Sequence, residues 1–546
     1  MKVNWRRIVC IMILVLVAVL SAYGCATSFK PLNNLSYYGL VDISNIGLIQ
    51  TASSCTSHTM ITHDTFEGPP FPRLAMWWPD SWGQSINDLV RYDYIGWGPW
   101  DNENTLLKLK QMNPKQLHFM SINLTEVKWD EWRNKDLMLQ IPAEWFLTQI
   151  GSELAEDIDS RQTKMLVKTT KDPYGNPLFE KNDTIVCGFE SMKVHAVNHQ
   201  KSTLFVERGF VRAAEIHTAG ERVAAHITFW PETWVMNMST LCLLYDTGQG
   251  PEQWIEWALR NDMHSPAMDG LILDRLEKTQ SWLIGRHART IDPDCSNTPM
   301  YDGYEEFDMA WDESIKSLLL LLRDTNSGKP IIANSSGSYK KYLNGIIFES
   351  CPGNWSDSIP ETYRDWAKSV LGADGYIAVS REGHRPNFSL VETYEIEEYS
   401  EENPMDDPSF VPNYKRLRWG ITTALLGDGY FSYEIGINGH GSLGLMWFDE
   451  YDNAGRGRGY LGYPTSDAYV VRDYGRDRKV FRRDYEKGIV LCNPSEREVT
   501  VNLQGTYRLI QGVQQPGINT GKLVTLIRID PRDGRILLNS DKLALR

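Results

Sequence analysis

Two acidic residues in this chain each close a short apolar run. Asp274 ends a run at 271–273, and Glu349 ends one at 346–348. Such runs are typical of buried parallel strands, whose carboxyl ends meet at one rim of an α/β barrel. Two carboxyl groups at one rim suit hydrolysis of a glycosidic bond. The pattern predicts Asp274 as nucleophile or base and Glu349 as general acid. The alternative for each acid is a helix cap or an ion pair with a residue such as Arg275.

Other side chains at predicted strand ends, or in the loops that follow them, are predicted to bind the substrate. Tryptophan rings can stack on sugar rings, and the chain has 19 tryptophans. Most of them should lie in the core, because a tryptophan side chain buries a large area. The predicted substrate-binding residues are Trp78, Asp80, Trp97, Asn123, Glu126, Asn334, Arg381, Glu434, Trp447 and Asp449.

Short apolar runs alternate with helical segments along most of the chain, which predicts βα units around a parallel sheet. The helix at 304–325 is the clearest, because apolar residues repeat at helical spacing and Gly328 and Pro330 follow it. Eight strand–helix units fit a closed (β/α)8 TIM barrel, of fold class α/β. The predicted strands cover residues 71–77, 93–97, 117–123, 268–274, 330–334, 343–349, 375–381 and 430–434.

Two stretches depart from this alternation. Residues 146–226 contain short β strands joined by turns, which predicts an inserted β-rich domain, since loops on the catalytic face of a barrel tolerate insertions. The segment from Trp234 is predicted to resume the barrel. Strands without intervening helices at 474–546 predict a small antiparallel, β-sandwich-like C-terminal domain. The barrel would then comprise residues 69–145 and 227–473, after a lead-in at 26–68.

Charge and cysteine content argue against several functions. The 546 residues carry a formal net charge of -14, and nucleic-acid binding requires a basic face, so no nucleic-acid partner is expected. The cysteines are scattered without a CxxC pair, which argues against zinc. Asp292-Pro-Asp294 lacks the glycine and terminal glutamate of a calcium loop. No metal and no cofactor is predicted.

The first residues predict export and anchoring. Lys2, Arg6 and Arg7 precede an apolar run at 8–20, which is short for a membrane-spanning helix and typical of a signal peptide. Small residues lead into Cys25, as in bacterial lipoprotein signals, in which that cysteine is lipidated. The predicted location is extracytoplasmic, in the bacterial cell envelope, with a lipid anchor in a membrane. The alternatives are an ordinary secretory signal and an uncleaved anchor.

Several motifs in the second half of the chain resemble a known family. They are 420–433, 447–452, Asn493-Pro494, Tyr507-Arg508 and 531–534. In this order they resemble the TIM-barrel glycoside hydrolases of the glycosyl hydrolase-like family 15 type, which are related in outline to polygalactosaminidase-like barrels. The resemblance covers most of the barrel and the C-terminal domain, but not the insertion. It implies hydrolysis of glycosidic bonds and leaves the sugar open.

The sequence therefore predicts a surface-anchored glycoside hydrolase whose partner is an extracellular polysaccharide or oligosaccharide. A competing hypothesis is a carbohydrate-binding lipoprotein that keeps the barrel without catalysis. A purely structural surface protein is a third. The first requires Asp274 and Glu349 to face each other in a cleft, and the third predicts no cleft.

Overall fold

A computed structural model provides the structure of the protein. It describes residues 68–79, 84–98, 103–129, 139, 141–244, 250–251, 255, 267–283, 291–298, 304–326, 328–335, 337–353, 361–395, 405, 407–435, 445–475 and 477–540. Asp80 and Cys25 lie outside these residues.

The strands fall into one parallel barrel sheet and several antiparallel sheets. In chain order they are β1 Ala75–Trp77, β2 Tyr94–Trp97, β3 Leu117–Asn123, β4 Glu126–Lys128, β5 Thr148–Gln149, β6 Ser152–Glu153, β7 Lys164–Leu166, β8 Thr184–Cys187, β9 Glu190–Asn198, β10 Thr203–Glu207, β11 Arg222–Ala225, β12 Thr233–Val235, β13 Gly270–Leu276, β14 Ile291–Asp292, β15 Ile331–Ser335, β16 Gly345–Phe348, β17 Leu390–Tyr394, β18 Tyr430–Glu434, β19 Tyr469–Asp473, β20 Lys479–Tyr485, β21 Gly488–Asn493, β22 Val499–Leu509, β23 Leu523–Ile529 and β24 Asp533–Asn539.

Eight strands form the barrel in the order β1-β2-β3-β13-β15-β16-β17-β18, and every pairing between neighbours is parallel. A parallel bridge between Leu74 and Phe431 joins the last strand to the first. The predicted fold class, a (β/α)8 barrel with additional β domains, is therefore confirmed.

The barrel interior is a packed core, because alternate residues of each strand point inward. Tyr94, Phe119, Phe388 and Tyr430 supply its aromatic centre, with ring centroids 4.8–6.0 Å apart. The full interior cluster of buried residues is Ala75, Trp77, Tyr94, Phe119, Ile272, Ile332, Ile347, Phe388, Leu390 and Tyr430.

Helices pack between the strands and bury an apolar face against the barrel. The longest one buries Phe307, Trp311 and Ile315, at the bounds predicted from its periodicity. In chain order the helices of the described residues are α1 Ile86–Leu89, α2 Glu103–Met112, α3 Tyr304–Thr325, α4 Tyr363–Leu371, α5 Tyr376–Glu382, α6 Tyr414–Ala424 and α7 Asp449–Asp452.

The seventh barrel strand differs from the prediction. Residues 375–381 form most of α5, and the strand is β17, at Leu390–Tyr394. The run Tyr-Ile-Ala-Val at 376–379 is apolar enough for either element, and periodicity cannot decide so short a segment. Because β17 contains Glu392 and Thr393, it lacks the continuous apolar run that marked the other strands.

A six-stranded antiparallel sheet lies between β3 and β13 in the chain, in the order β6-β11-β8-β9-β10-β7. It has its own buried cluster, which includes Leu154, Met165, Ile185 and Val194. The Trp234 segment does not form a barrel strand, since β12 pairs antiparallel with β4 and the next barrel strand is β13.

The C-terminal strands form a second six-stranded sheet, in the order β19-β20-β21-β24-β22-β23. It packs on α6, where Arg418 makes a buried, two-point ion pair with Asp533 at 2.8 and 3.1 Å. A side chain on Gly534 would begin 2.0 Å from Thr422 Oγ1, so the glycine permits this close packing.

Among the described residues, Cys187, Cys295, Cys351 and Cys492 are free thiols. No helix in the described part of the chain is long and apolar enough to cross a membrane.

Candidate functional site

The inward-facing positions become polar at the carboxyl ends of five adjacent barrel strands, which are β13, β15, β16, β17 and β18. Asp274 lies two residues beyond the core residue Ile272, and Asn334 lies two beyond Ile332. The same alternation brings in the remaining polar residues of the mouth, which are Glu349, Glu392, Tyr394, Ser432 and Glu434. The catalytic rim of the barrel thus carries a cluster of carboxyl groups.

Asn334 connects the two predicted catalytic acids. Its Nδ2 donates to Asp274 Oδ1 at 3.2 Å and to Glu349 Oε2 at 3.0 Å. These two carboxyl oxygens can therefore be no more than about 6.2 Å apart, which is below the separation of about 6.5–9.5 Å between the carboxyl groups of inverting glycosidases. Asp274 and Glu349 are brought together, and both are half-buried.

The backbone after Asp274 turns sharply and supplies a second donor to it. Arg275 adopts a left-handed conformation with φ 59°, and its amide donates to Asp274 Oδ1 at 2.8 Å. Two donors on one oxygen suit an ionised carboxylate.

Tyr394 links Glu349 to a second, fully buried pair of acids. Its hydroxyl lies 3.0 Å from Glu349 Oε1 and 3.2 Å from Glu392 Oε2. Burial, followed by the charges of Glu392 and Glu349, raises the pKa of Tyr394 far above its ordinary value, so the hydroxyl keeps its proton. The single hydroxyl proton can be donated to only one of the two carboxylates at a time.

Glu392 and Glu434 lie side by side with no solvent exposure. Burial first, and then the charge of Glu392, raises the pKa of Glu434 well above its ordinary value, while the Ser432 hydroxyl donates to Glu434 at 3.0 Å. Two buried carboxyl groups in contact cannot both ionise, so one proton is held between them.

Glu126 is a further carboxyl group at this end of the barrel. It is 6% exposed, and neither oxygen has a hydrogen-bond partner of normal geometry among the described residues. Burial raises its pKa to about 7, with Arg275 opposing the shift and Asp274 adding to it. A carboxyl group with such a pKa can supply or accept a proton near neutral pH.

Two aromatic rings flank the guanidinium of Arg275, and a third packs against one of them. The guanidinium lies 4.1 Å from the Phe229 ring centroid and 5.2 Å from that of Trp282, and Phe229 also packs edge-on against Trp230 at 4.9 Å. Trp230 is 51% exposed and Trp282 is 37% exposed. An aromatic surface, here named the aromatic platform (Phe229, Trp230 and Trp282), therefore adjoins the carboxyl cluster.

Of the predicted substrate-binding residues, several do lie at the mouth. Asn334 and Glu434 belong to the carboxyl cluster. Asn123 pairs in register with Asp274 and accepts from the amides of Thr125 and Glu126, and the half-buried Trp78 packs against the interior cluster.

The prediction for Trp97 is wrong. Gly96 is the inward residue of β2, so Trp97 points outward, where its indole donates to His118 Nδ1 at 2.7 Å under the helical layer. Burial there lowers the pKa of His118 to about 3.

Three further predictions are wrong because the side chains lie elsewhere in the fold. Arg381 lies in the last turn of α5, before the chain reaches β17 at the opposite rim, and forms an exposed ion pair with Asp467. Trp447 lies under Arg91, which precedes β2 and so also belongs to the opposite rim. Asp449 is buried and accepts the amides of Val513 and Gln514 in the C-terminal domain.

The sequence interpretation missed Glu392, Tyr394 and the aromatic platform. The first two were hidden by the wrong assignment of the seventh strand. The signal available was Leu390-Val-Glu-Thr-Tyr394, in which the acidic Glu392 and the aromatic Tyr394 occupy alternate positions that share one face of a strand. The platform joins residues from separate loops, which no local pattern reveals.

Comparison with known proteins gave matches among solved structures alone. No family model matches the chain. No curated protein matches it.

The chain is similar to the glycoside hydrolase domain of PelA from Pseudomonas aeruginosa at 12% identity, with 68% of this chain and 99% of that chain covered and a TM-score of 0.34. It is similar to the noncanonic maltogenic α-amylase AmyB from Thermotoga neapolitana at 10% identity, with 85% and 98% covered and a TM-score of 0.37. Pyruvate kinase from Pyrobaculum aerophilum is also similar, at 11% identity, with 66% and 68% covered and a TM-score of 0.24. Barrels of this kind carry unrelated chemistries, so function has to be argued from the site.

Proposed function

We propose that this chain is a glycoside hydrolase that cleaves glycosidic bonds of an extracellular polysaccharide. The observation that carries the proposal is the shared contact of Asp274 and Glu349 with Asn334, at the catalytic rim of a parallel barrel. Two facing carboxyl groups with different hydrogen-bond environments are what acid–base cleavage of a glycoside requires.

Asp274 acts as the nucleophile in this proposal. The hydrogen bonds that Arg275 and Asn334 donate to Asp274 favour its ionised form. The upper limit of about 6.2 Å on the distance between Asp274 Oδ1 and Glu349 Oε2 fits a retaining enzyme better than an inverting one. A retaining reaction forms a glycosyl ester on Asp274, which water then hydrolyses.

Glu349 acts as the general acid and afterwards as the general base. When Glu349 is protonated, Tyr394 can donate to Glu392; when Glu349 is ionised, Tyr394 can donate to it instead. The same tyrosine can therefore stabilise both protonation states that the acid passes through. Glu392 and Glu434 hold the tyrosine in place.

The aromatic platform would bind the sugar rings that flank the scissile bond. Trp282 exposes a flat apolar face beside Arg275, and Trp230 exposes one beside Phe229. Nε and Nη2 of Arg275 are buried without a partner among the described residues. A pyranose ring that stacks on an indole could place its hydroxyl groups on these donors and on Glu126.

The glycosyl hydrolase-like family 15 type and the lipid anchor are part of the same proposal. Both rest on sequence motifs alone, the anchor on the basic start, the apolar run and Cys25. If the anchor is correct, Cys25→Ser moves the protein out of the membrane fraction or leaves the signal uncleaved. A mature N-terminus well downstream of Cys25 would contradict it.

The proposed activity is tested by screening the purified protein against a panel of polysaccharides for new reducing ends. Asp274→Asn serves as the blank, because it keeps the side-chain shape and removes the carboxylate. Activity of the wild type that the folded Asp274→Asn variant lacks supports the proposal. Equal release by both proteins contradicts the assignment of Asp274, and saturable binding of a polysaccharide without cleavage supports a carbohydrate-binding protein instead.

Glu126 is the rival general acid, because its raised pKa also suits proton transfer. Comparison of Glu349→Gln with Glu126→Gln separates the two. The proposal predicts that Glu349→Gln loses activity by about 100-fold or more and that Glu126→Gln changes mainly KM. The reverse result would transfer the acid role to Glu126.

A further inference from the structure

Three side chains with metal-binding atoms converge in the inserted sheet. Cys187 ends β8, and His217 and Glu221 lie in the turn before β11. The thiol, one imidazole nitrogen and one carboxylate oxygen all lie within 4.8 Å of one another. Cys187 and His217 are buried, and Glu221 is half-exposed. Their separation in the chain hides the group from any search for cysteine pairs.

A buried glutamate fixes the orientation of the histidine. Glu190 accepts two hydrogen bonds from Arg208, at 2.8 and 2.7 Å, and one each from the amides of Gly209 and Glu215. Because Glu190 is paired with the Arg208 guanidinium and also accepts two backbone amides, it acts as an acceptor, and His217 Nε2 at 3.0 Å donates to it. A carboxylate behind a metal-binding histidine is a recurrent arrangement, which orients the other ring nitrogen toward the metal.

On the other side of the His217 ring, two electron-rich atoms face each other, Nδ1 of His217 and Oε2 of Glu221. Nδ1 lies 2.8 Å from Glu221 Oε2, while Glu221 Oε1 already accepts from the amide and hydroxyl of Thr218. With Nε2 protonated, a lone pair on Nδ1 would face a carboxylate oxygen, so this contact requires a cation. The cation is either a second proton on the ring or a metal ion.

The position of Cys187 favours the metal. Its Sγ lies 3.9 Å from the same Oε2. A single ion placed among Cys187 Sγ, His217 Nδ1 and Glu221 Oε2 could therefore contact all three atoms. A proton on Nδ1 would satisfy His217 and Glu221, with the Cys187 S–H donating a long hydrogen bond to the same Oε2, but it would make no use of the third metal-binding atom of the group. Burial, aided by the charges of Glu221 and Glu190, raises the pKa of the Cys187 thiol to about 12, so a metal must displace its proton on binding.

The spacing fits zinc with modest adjustment. Tetrahedral bonds of about 2.0–2.3 Å place the ligand atoms roughly 3.3–3.6 Å apart. The observed contacts of 2.8 and 3.9 Å each lie within about 0.5 Å of that range. Gly188 leaves one side of the cluster uncrowded, since a side chain there would begin 3.5 Å from Glu221 Oε2 and from His217 Nδ1.

We propose that Cys187, His217 and Glu221 bind a zinc ion that joins the end of β8 to the turn before β11, with water as the fourth ligand. A mixed set of thiolate, imidazole and carboxylate is typical of zinc. The ion stabilises the inserted domain and takes no part in the cleavage proposed at the barrel mouth.

The test uses cobalt(II) as a spectroscopic stand-in for zinc. The full-length chain, purified in detergent without a polyhistidine tag, is stripped with a chelator and titrated with cobalt(II). The expected result is binding of one equivalent with a thiolate-to-cobalt charge-transfer band in the near ultraviolet. Zinc should abolish the band by competition, and it should raise the melting temperature of the stripped protein.

Variants assign the ligands. Cys187→Ser should remove the charge-transfer band and weaken cobalt binding by more than about 100-fold, and Glu190→Gln should weaken it about 10- to 100-fold with the band retained. Cys492→Ser, which removes a buried thiol from the C-terminal sheet, is the matched control and should bind as the wild type does. If Cys187→Ser does not fold, the half-exposed Glu221→Gln should keep the band and lose affinity.

Two results would overturn the proposal. One is a folded wild type that binds neither cobalt(II) nor zinc in stoichiometric amount. The other is a Cys187→Ser variant with unchanged affinity. In either case His217 has only a structural role, as a hydrogen-bonded link between Glu190 and Glu221. Neither result affects the proposed glycosidase, whose site is on the barrel strands.

Discussion

Glu126 makes a prediction about stability that needs no substrate. Its pKa rises from the ordinary 4.5 to about 7 in the folded protein, chiefly through burial. Between these two values the unfolded chain has lost the proton of this residue while the folded chain retains it. The stability of the wild type should therefore fall as pH rises through this interval, because folding must either keep the proton or bury a charge.

The magnitude follows from the size of the shift. A shift of about 2.5 pKa units at about 1.4 kcal/mol each gives up to about 3.5 kcal/mol, fully developed above about pH 7. Glu126→Gln cannot ionise, so its advantage over the wild type should grow by up to that amount between about pH 4.5 and pH 7 and then level off.

The assay is thermal unfolding of both proteins across this pH interval, with the difference in melting temperature plotted against pH. Glu144→Gln, at an exposed glutamate, is the control. Its difference in melting temperature from the wild type should not change with pH. Asp274→Asn removes a charge that raises the pKa of Glu126, so it should move the end of the interval to lower pH. A pH-independent difference for Glu126→Gln, or one that falls as pH rises, would refute the account of this carboxyl group.

Three further substitutions test other parts of the structure. Tyr394→Phe removes the hydroxyl between Glu349 and Glu392, so it should cost about 1–3 kcal/mol in thermal unfolding and lower kcat at least tenfold; unchanged kcat would remove the tyrosine from the mechanism. Trp282→Ala should raise KM roughly tenfold with little effect on melting temperature, whereas Met309→Ala, on the exposed face of α3, should change neither. Asp533→Ala leaves Arg418 buried without its carboxylate and should cost about 3–5 kcal/mol, whereas the exposed Asp473→Ala should cost almost nothing.

The sequence predicted the barrel well where strands are continuous apolar runs. The eighth strand and the helix at 304–325 were predicted at their observed bounds. The strand is buried on both faces and the helix along one face, and each kind of burial leaves a recognisable pattern of apolar residues in the sequence. The seventh strand was missed for a functional reason. Its inward-facing residues Glu392 and Tyr394 line the mouth of the barrel, so the strand lacks the apolar pattern of its neighbours.

The candidate site was predicted in part, and the errors share one cause. A strand-end position indicates the correct rim, but it does not tell which of two adjacent residues faces inward. That is why Asn334 lies at the site and Trp97 does not. Trp447 and Asp449 follow the last strand, yet they lie away from the mouth, at the opposite rim and against the C-terminal domain.

The central claim is that Asp274 and Glu349 act as nucleophile and general acid on one glycosidic bond. Once a substrate is known, it is tested most directly by measuring kcat for each variant on glycosides with good and poor leaving groups, with the exposed Glu313→Gln as control. Asp274→Asn should lose about 1,000-fold or more on both kinds of substrate, while Glu349→Gln should lose much less on the substrate whose leaving group needs no proton. Near wild-type turnover by folded Asp274→Asn on either substrate, or by folded Glu349→Gln on the substrate with the poor leaving group, would contradict the claim. Equal losses on both substrates for Glu349→Gln would also contradict it.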